Sequence, residues 1–129
     1  MSGAGRYSAG MNVDAVAFSE RWVQNWNAHD VEAVLADFHD DVVFTSPVAA
    51  EIFPETHGVV RGKAALRRYW TGALARIPDL RFSVDGVYQG IDTIVIAYRN
   101  QNGDSVSEVL TFLDGAVIEG HGTYRVSAS

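Results

Sequence analysis

The sequence predicts an α+β domain in which about three helices pack on one face of an antiparallel sheet, and three features carry that reading. Apolar residues recur at helical spacing up to Ile77, and alternation at every second residue takes over after Pro78. Two turn signals, Asn102-Gly103 and Asp114-Gly115, then divide the second half into hairpins. The chain has 129 residues, 47% of them apolar and 20% charged, enough for one domain with a core of its own.

Residues 1–11 are rich in Gly, Ser and Ala and are expected to form a flexible arm, leaving 12–129 as the domain. A first helix over 13–27 places Phe18, Trp22 and Trp26 in one stripe. Asp30 is suited to cap a second helix reaching Asp37 or Phe38, with Val31, Val34, Leu35 and Phe38 on its buried side. Val42 to Thr45 reads as a short strand ended by Ser46-Pro47, and 48–61, with Pro54 and Gly58, as an irregular binding loop. A third helix spans 62–77, with Leu66, Tyr69, Trp70, Leu74 and Ile77 at helical spacing, until Pro78 stops it. Four strands follow, over 80–88, 91–100, 105–113 and 116–126.

Composition excludes several function classes. With no cysteine there is no disulfide framework, thiolate cluster or cysteine nucleophile. A net charge of −6 and no basic run beyond Arg67-Arg68 argue against a nucleic-acid partner. No stretch approaches the ~18 apolar residues of a membrane span and the N-terminus lacks an apolar export core, so the expected location is the cytoplasm. No phosphate loop, nucleophile elbow or paired-carboxylate motif is present, and no cofactor is called for. Glu51, Glu55 and His57 lack a metal-ligand spacing, so no metal is expected either.

Glu108 is the one carboxylate inside the apolar pattern Val106, Val109, Leu110, Phe112. A two-residue turn at Asn102-Gly103 sets residue 99 opposite 106 and Glu108 diagonal to Arg99, which makes a salt bridge between them one reading. The other is a carboxyl in an apolar cavity, its pKa raised by desolvation so that it acts as acid, base or donor. A solvated surface position is the third. Trp22, Trp70 and Tyr98 are the first choices to wall such a cavity, because their polar tips want partners when buried. Phe44, Phe112, Tyr124, Ser46, His57 and Arg99 complete the expected ligand-binding set, with His57 reaching over the mouth from the 48–61 loop. His29 and His39 read as structural groups at helix ends. His121, between Gly120 and Gly122, falls on the face opposite those glycines and Tyr124. The outer sheet face, of either Ile94, Ile96, Val109 or Val95, Ala97, Leu110 parity, is apolar enough to seek a second copy, so a homodimer is expected.

Three segments, Trp26-Asn27-Ala28-His29-Asp30-Val31-Glu32-Ala33-Val34, Phe38 to Pro47 and Arg61-Gly62-Lys63-Ala64-Ala65-Leu66, resemble the opening of SnoaL-like and ketosteroid-isomerase-like proteins of the nuclear-transport-factor-2-like superfamily. Phe112 to Glu119 is similar to the last hairpin of that group. The resemblance covers about 12 to 126 and implies a cone-shaped, cystatin-like fold whose curved sheet and helices enclose an apolar pocket, usually in a homodimer. It implies a compact, largely apolar ligand and activities such as isomerisation, cyclisation or epoxide opening, with a non-catalytic binding or dimerisation module as the alternative, since this fold hosts both. Residue by residue, the isomerases' aspartate base falls on Ser46, and their oxyanion-donating tyrosine falls on Trp22. The cyclases' aspartate falls on Gly122, with His121 one place out of register, and the isomerases' protonated donor falls near Glu108.

Overall fold

Asp14 opens the first helix in the computed structural model, which describes residues 12–127; the expected N-terminal arm lies outside the described residues. The Asp14 side chain accepts the amide of Ala17, starting α1 (Ala15–Asn27). Asp30 caps α2 (Val31–Leu35) in the same way through the amide of Ala33. β1 (Phe38–Thr45) leads into α3 (Pro47–Ile52), a single 3-10 turn (Pro54–Thr56) and β2 (Val59–Arg61). α4 (Lys63–Arg76) precedes β3 (Ser83–Gln89), β4 (Thr93–Arg99), β5 (Ser105–Leu113) and β6 (Ala116–Tyr124).

The six strands form one open sheet in the order β2-β1-β6-β5-β4-β3. All neighbours are antiparallel except β1 and β6, which run parallel. The helices fill one face. Phe18, Trp22 and Trp26 of α1 are buried as a stripe, and Trp26 meets Trp70 of α4 edge-on at 4.9 Å between ring centroids. Asn27 holds the entry to β3 by donating to the Phe82 carbonyl and accepting the Phe82 amide. His29 takes a left-handed backbone conformation and places its Nε2 2.9 Å from the Leu80 carbonyl.

Several expectations need correction. The second helix ends at Leu35, and β1 starts at Phe38 rather than Val42, because the Asp37 carbonyl accepts the Val117 amide and draws the chain into the sheet beside β6. The segment 48–61 is not irregular. Ser46 Oγ accepts the Val48 amide and Pro47 occupies the first turn, the start signals of a helix, and Val59–Arg61 then pairs with β1.

The β4–β5 hairpin carries the largest correction. Its turn is three residues wide, not two: the Asn100 amide donates to the Asp104 carbonyl, the Gly103 amide donates to the Asn100 carbonyl, and Gly103 sits at φ +80°. Asn100 Oδ1 braces it by accepting the amides of both Asn102 and Asp104. Arg99 therefore opposes Ser105 instead of residue 106, and a shift of one residue exchanges faces. Ile94, Ile96 and Leu110 point into the core together, while Val95, Ala97 and Val109 share the outer face, so neither expected parity grouping of the outer face holds. Among the described residues no helix is long and apolar enough to cross a membrane.

Candidate functional site

The alternation of β5 turns Val106, Glu108, Leu110 and Phe112 inward, and Glu108 alone among them is ionisable. It faces Ile96 across one strand pair and Gly122 across the other. The missing side chain of Gly122 makes the room for it: a Cβ there would stand 3.3 Å from Glu108 Oε1 and 3.6 Å from Ser46 Oγ. The Tyr98 hydroxyl donates to Glu108 Oε1 at 3.1 Å, and the Tyr69 hydroxyl donates to Ser46 Oγ at 3.3 Å. Among the described residues the hydrogen bond to Glu108 is made at Oε1.

Glu108, Tyr98, Tyr69 and Ser46 line a cavity of about 510 Å³, within the range of small-molecule sites. Its walls include the aromatic rings of Trp22, Trp26, Trp70 and Phe82, and Asn100, Gln101 and Asn102 of the β4–β5 turn reach it too. Gln101 Oε1 is buried and has no hydrogen-bond partner among the described residues. Arg99 lies on the opposite face, where its guanidinium forms a two-pronged pair with Asp85 at 3.1 and 3.2 Å. The Glu108–Arg99 salt bridge is thus excluded by the register, and so is a solvated Glu108, which is 7% exposed.

Burial without a counter-ion sets the electrostatics. Desolvation pushes the Glu108 carboxyl up to about 7, with the hydrogen bond from Tyr98 pulling the other way. Burial likewise pushes Tyr69 up to about 12, against the opposing bond to Ser46. Tyr98 rises well above its ordinary range through burial first and the neighbouring Glu108 second, and Tyr124 is raised for the same two reasons. At neutral pH the site therefore presents one carboxyl near its midpoint beside neutral hydroxyls, a set that can give or take one proton.

Of the residues expected from the sequence, Trp22, Phe44, Ser46, Trp70, Tyr98 and Tyr124 line the cavity together with Glu108. His57, Arg99 and Phe112 do not. His57 is exposed in a left-handed turn beyond the 3-10 segment, and Phe112 packs edge-on against Phe18 at 5.2 Å deeper in the core. Tyr69 was missed as a site residue, because helical spacing marks it only as core; the signal was a polar tip on an otherwise apolar stripe. Among the described residues no three His, Asp or Glu side chains converge as a metal ion requires. His121 stands on the outer face, with Nε2 2.7 Å from Glu119 Oε1 and Nδ1 2.6 Å from Thr45 Oγ1.

Residues 19–128 match the family model of the SnoaL-like domain. A SnoaL-like protein from Burkholderia thailandensis E264 superposes with a TM-score of 0.82 at 36% identity, covering 87% of this chain and 94% of that one. TerC, co-crystallised with polyporic acid, shares the fold at a TM-score of 0.71 and 13% identity over 86% of this chain and 91% of its own. A protein with a cystatin-like fold from Methylobium petroleophilum PM1 does so at 0.69 and 17% identity, over 91% and 81%. No curated protein matches the chain by sequence.

Proposed function

This chain belongs to the SnoaL-like domain family, and from that premise we propose that its cavity binds a compact, largely apolar small molecule on which Glu108 performs proton transfer. The observation that supports this is the pairing of a buried carboxyl, brought to about 7, with an aromatic-walled cavity of about 510 Å³. A group with that pKa is divided between acid and base at physiological pH, where general acid–base catalysis works best. Tyr98 fixes Oε1, which leaves Oε2 as the oxygen that meets the ligand.

A binding module without catalysis is the second reading, favoured by Ser46 and Gly122 standing where the resemblance places the family's acids. Exchange of acidic C–H protons in D2O, followed by NMR over a panel of compact neutral and cationic carbon acids, separates the two. Wild type should catalyse exchange for a ligand it binds, and Glu108→Gln should lose about 100-fold or more while still binding it. Binding without exchange in wild type would leave the module.

The outer face supports self-association as a further part of this proposal. Val95, Ala97 and Val109 are half-buried there, with Tyr88 64% exposed beside them. Light scattering at micromolar concentrations should give twice the 14.0 kDa chain mass, and the monomer mass throughout would reject it.

A further inference from the structure

The inward face of the sheet contains a carboxylate and, among the described residues, no cation to meet it. Arg99, the basic residue nearest to Glu108 in the hairpin sequence, is committed to Asp85 on the far face. The groups packed around Glu108 are Tyr98 from β4, Gly122 and Tyr124 from β6, Tyr69 from α4 and Ser46 ahead of α3, none of them basic. The charged residues lining the cavity are Glu51, Asp104 and Glu108 against one cation, Arg76. Arg76 is exposed at the end of α4, with its guanidinium 5.9 Å from the ring centroid of Phe53, a residue outside the cavity lining.

A buried charge normally has a partner, because isolating it from water is costly. Among the described residues none is supplied, and the space beside Glu108 is open cavity. What completes such a site is a cation brought by the ligand, and aromatic walls add to its attraction, since the faces of indole and phenol rings carry negative charge density. A neutral ligand would relieve the carboxyl only while it is protonated; a cation relieves it in its ionised form.

Resting on the reading of this cavity as a small-molecule site, we infer that its ligand is a compact organic cation. It is an amine or quaternary ammonium with apolar substituents, with Glu108 as its counter-ion and the indoles of Trp22, Trp26 and Trp70 as its walls.

All three tryptophans of the chain line the cavity, so intrinsic fluorescence reports its occupancy. The probes are benzyltrimethylammonium and its neutral isostere neopentylbenzene, neither of which titrates. Both should quench or shift the emission of wild type. Glu108→Gln should weaken the ammonium about tenfold or more and leave the hydrocarbon within about twofold, hydrocarbon binding also showing that the variant keeps its cavity. Equal effects on both probes, or an ammonium titration indifferent to Glu108→Gln, would overturn the inference. If wild type binds the hydrocarbon but not the ammonium, the inference fails and the apolar small-molecule site stands; if it binds neither, both fail. Should Glu108→Gln not fold, the same-sized anion phenylmethanesulfonate takes its place as a control on wild type. The ammonium must then bind and the anion must not, and the reverse order overturns the inference.

Discussion

On the outward face of the sheet charge is settled within the protein: Arg99 of β4 meets Asp85 of β3, and Glu119 and His121 of β6 form a hydrogen-bonded chain with Thr45 of β1. On the inward face of the same sheet, Glu108 has one neutral donor and an open cavity. The two faces are one residue apart in the sequence and opposite in design. Paired, solvated charges contribute little to stability and do no chemistry, whereas an unpaired buried carboxyl costs stability and acquires a pKa at which protons are exchanged. The inward face is where the domain departs from the rule that a core is apolar or fully paired, and such departures mark function.

The largest effect expected on this contrast comes from the cavity wall. Trp22 is buried, stacks on Phe82 at 5.5 Å and meets Tyr98 edge-on at 5.1 Å. Trp22→Ala should lose about 3–5 kcal/mol in urea unfolding, as buried aromatic truncations do. A loss below about 1 kcal/mol would mean that the inward face is not what holds α1 to the sheet.

The stripe containing Trp22 was legible because Phe18, Trp22 and Trp26 repeat at helical spacing and nothing competes with that signal. The inward position of Glu108 was not, because it depends on the width of one turn. Asn102-Gly103 is a strong two-residue hairpin signal, but Asn100 supplies a second one: its side chain can brace the amides two and four residues on, and doing so widens the loop and returns the chain one residue earlier. Alternation along each strand is legible while the alignment between strands is not, which is why a salt bridge to Arg99 stands among the three readings of Glu108 and Leu110 is grouped apart from Ile94 and Ile96. α3 was hidden for a different reason: Pro54 and Gly58 dominate the composition of 48–61, although Ser46-Pro47 followed by Val48-Ala49-Ala50 carries a cap and helix formers. The cavity itself, a property of seven elements together, has no local signature.

Acidity separates the faces next. Glu108 titrates near 4.5 when unfolded and near 7 in the folded protein, so the native state holds a proton that the unfolded chain has released between those values. Its contribution is fully present below about pH 4.5 and is lost as pH rises to 7, about 3 kcal/mol in order of magnitude. Glu108→Gln should remove that slope, so the difference between the two stability curves in urea, measured from pH 4.5 to 8, should grow by about this amount. Parallel curves would mean that the carboxyl is solvated.

Glycine marks the inward face more mildly. A Cβ on Gly120 would come within 2.8 Å of Phe44 Cδ1 and 3.2 Å of Leu110 Cδ2, both buried, so Gly120→Ala forces a shift in packed side chains. The expected loss is about 1–3 kcal/mol. A neutral result in thermal melts would show slack at the cavity wall that the packing does not suggest.

The smallest effect is the sharpest test of the register, because it is a predicted absence. Arg99 and Asp85 are both substantially exposed, at 57% and 44% of their side-chain surface, so Arg99→Met should cost no more than about 1 kcal/mol. More telling is its combination with Glu108→Gln. Side chains on opposite faces of the sheet share no partner, so the double variant should equal the sum of the singles within about 0.5 kcal/mol at neutral pH. Were the turn two residues wide, the two groups would be neighbours. Each single variant would then strand a charge, the double would recover the loss, and the cycle would show a coupling of 1 kcal/mol or more, roughly what a partly buried ion pair gives. Additivity rules out Arg99 as the partner of Glu108; coupling restores that pairing and leaves the cavity without its acid.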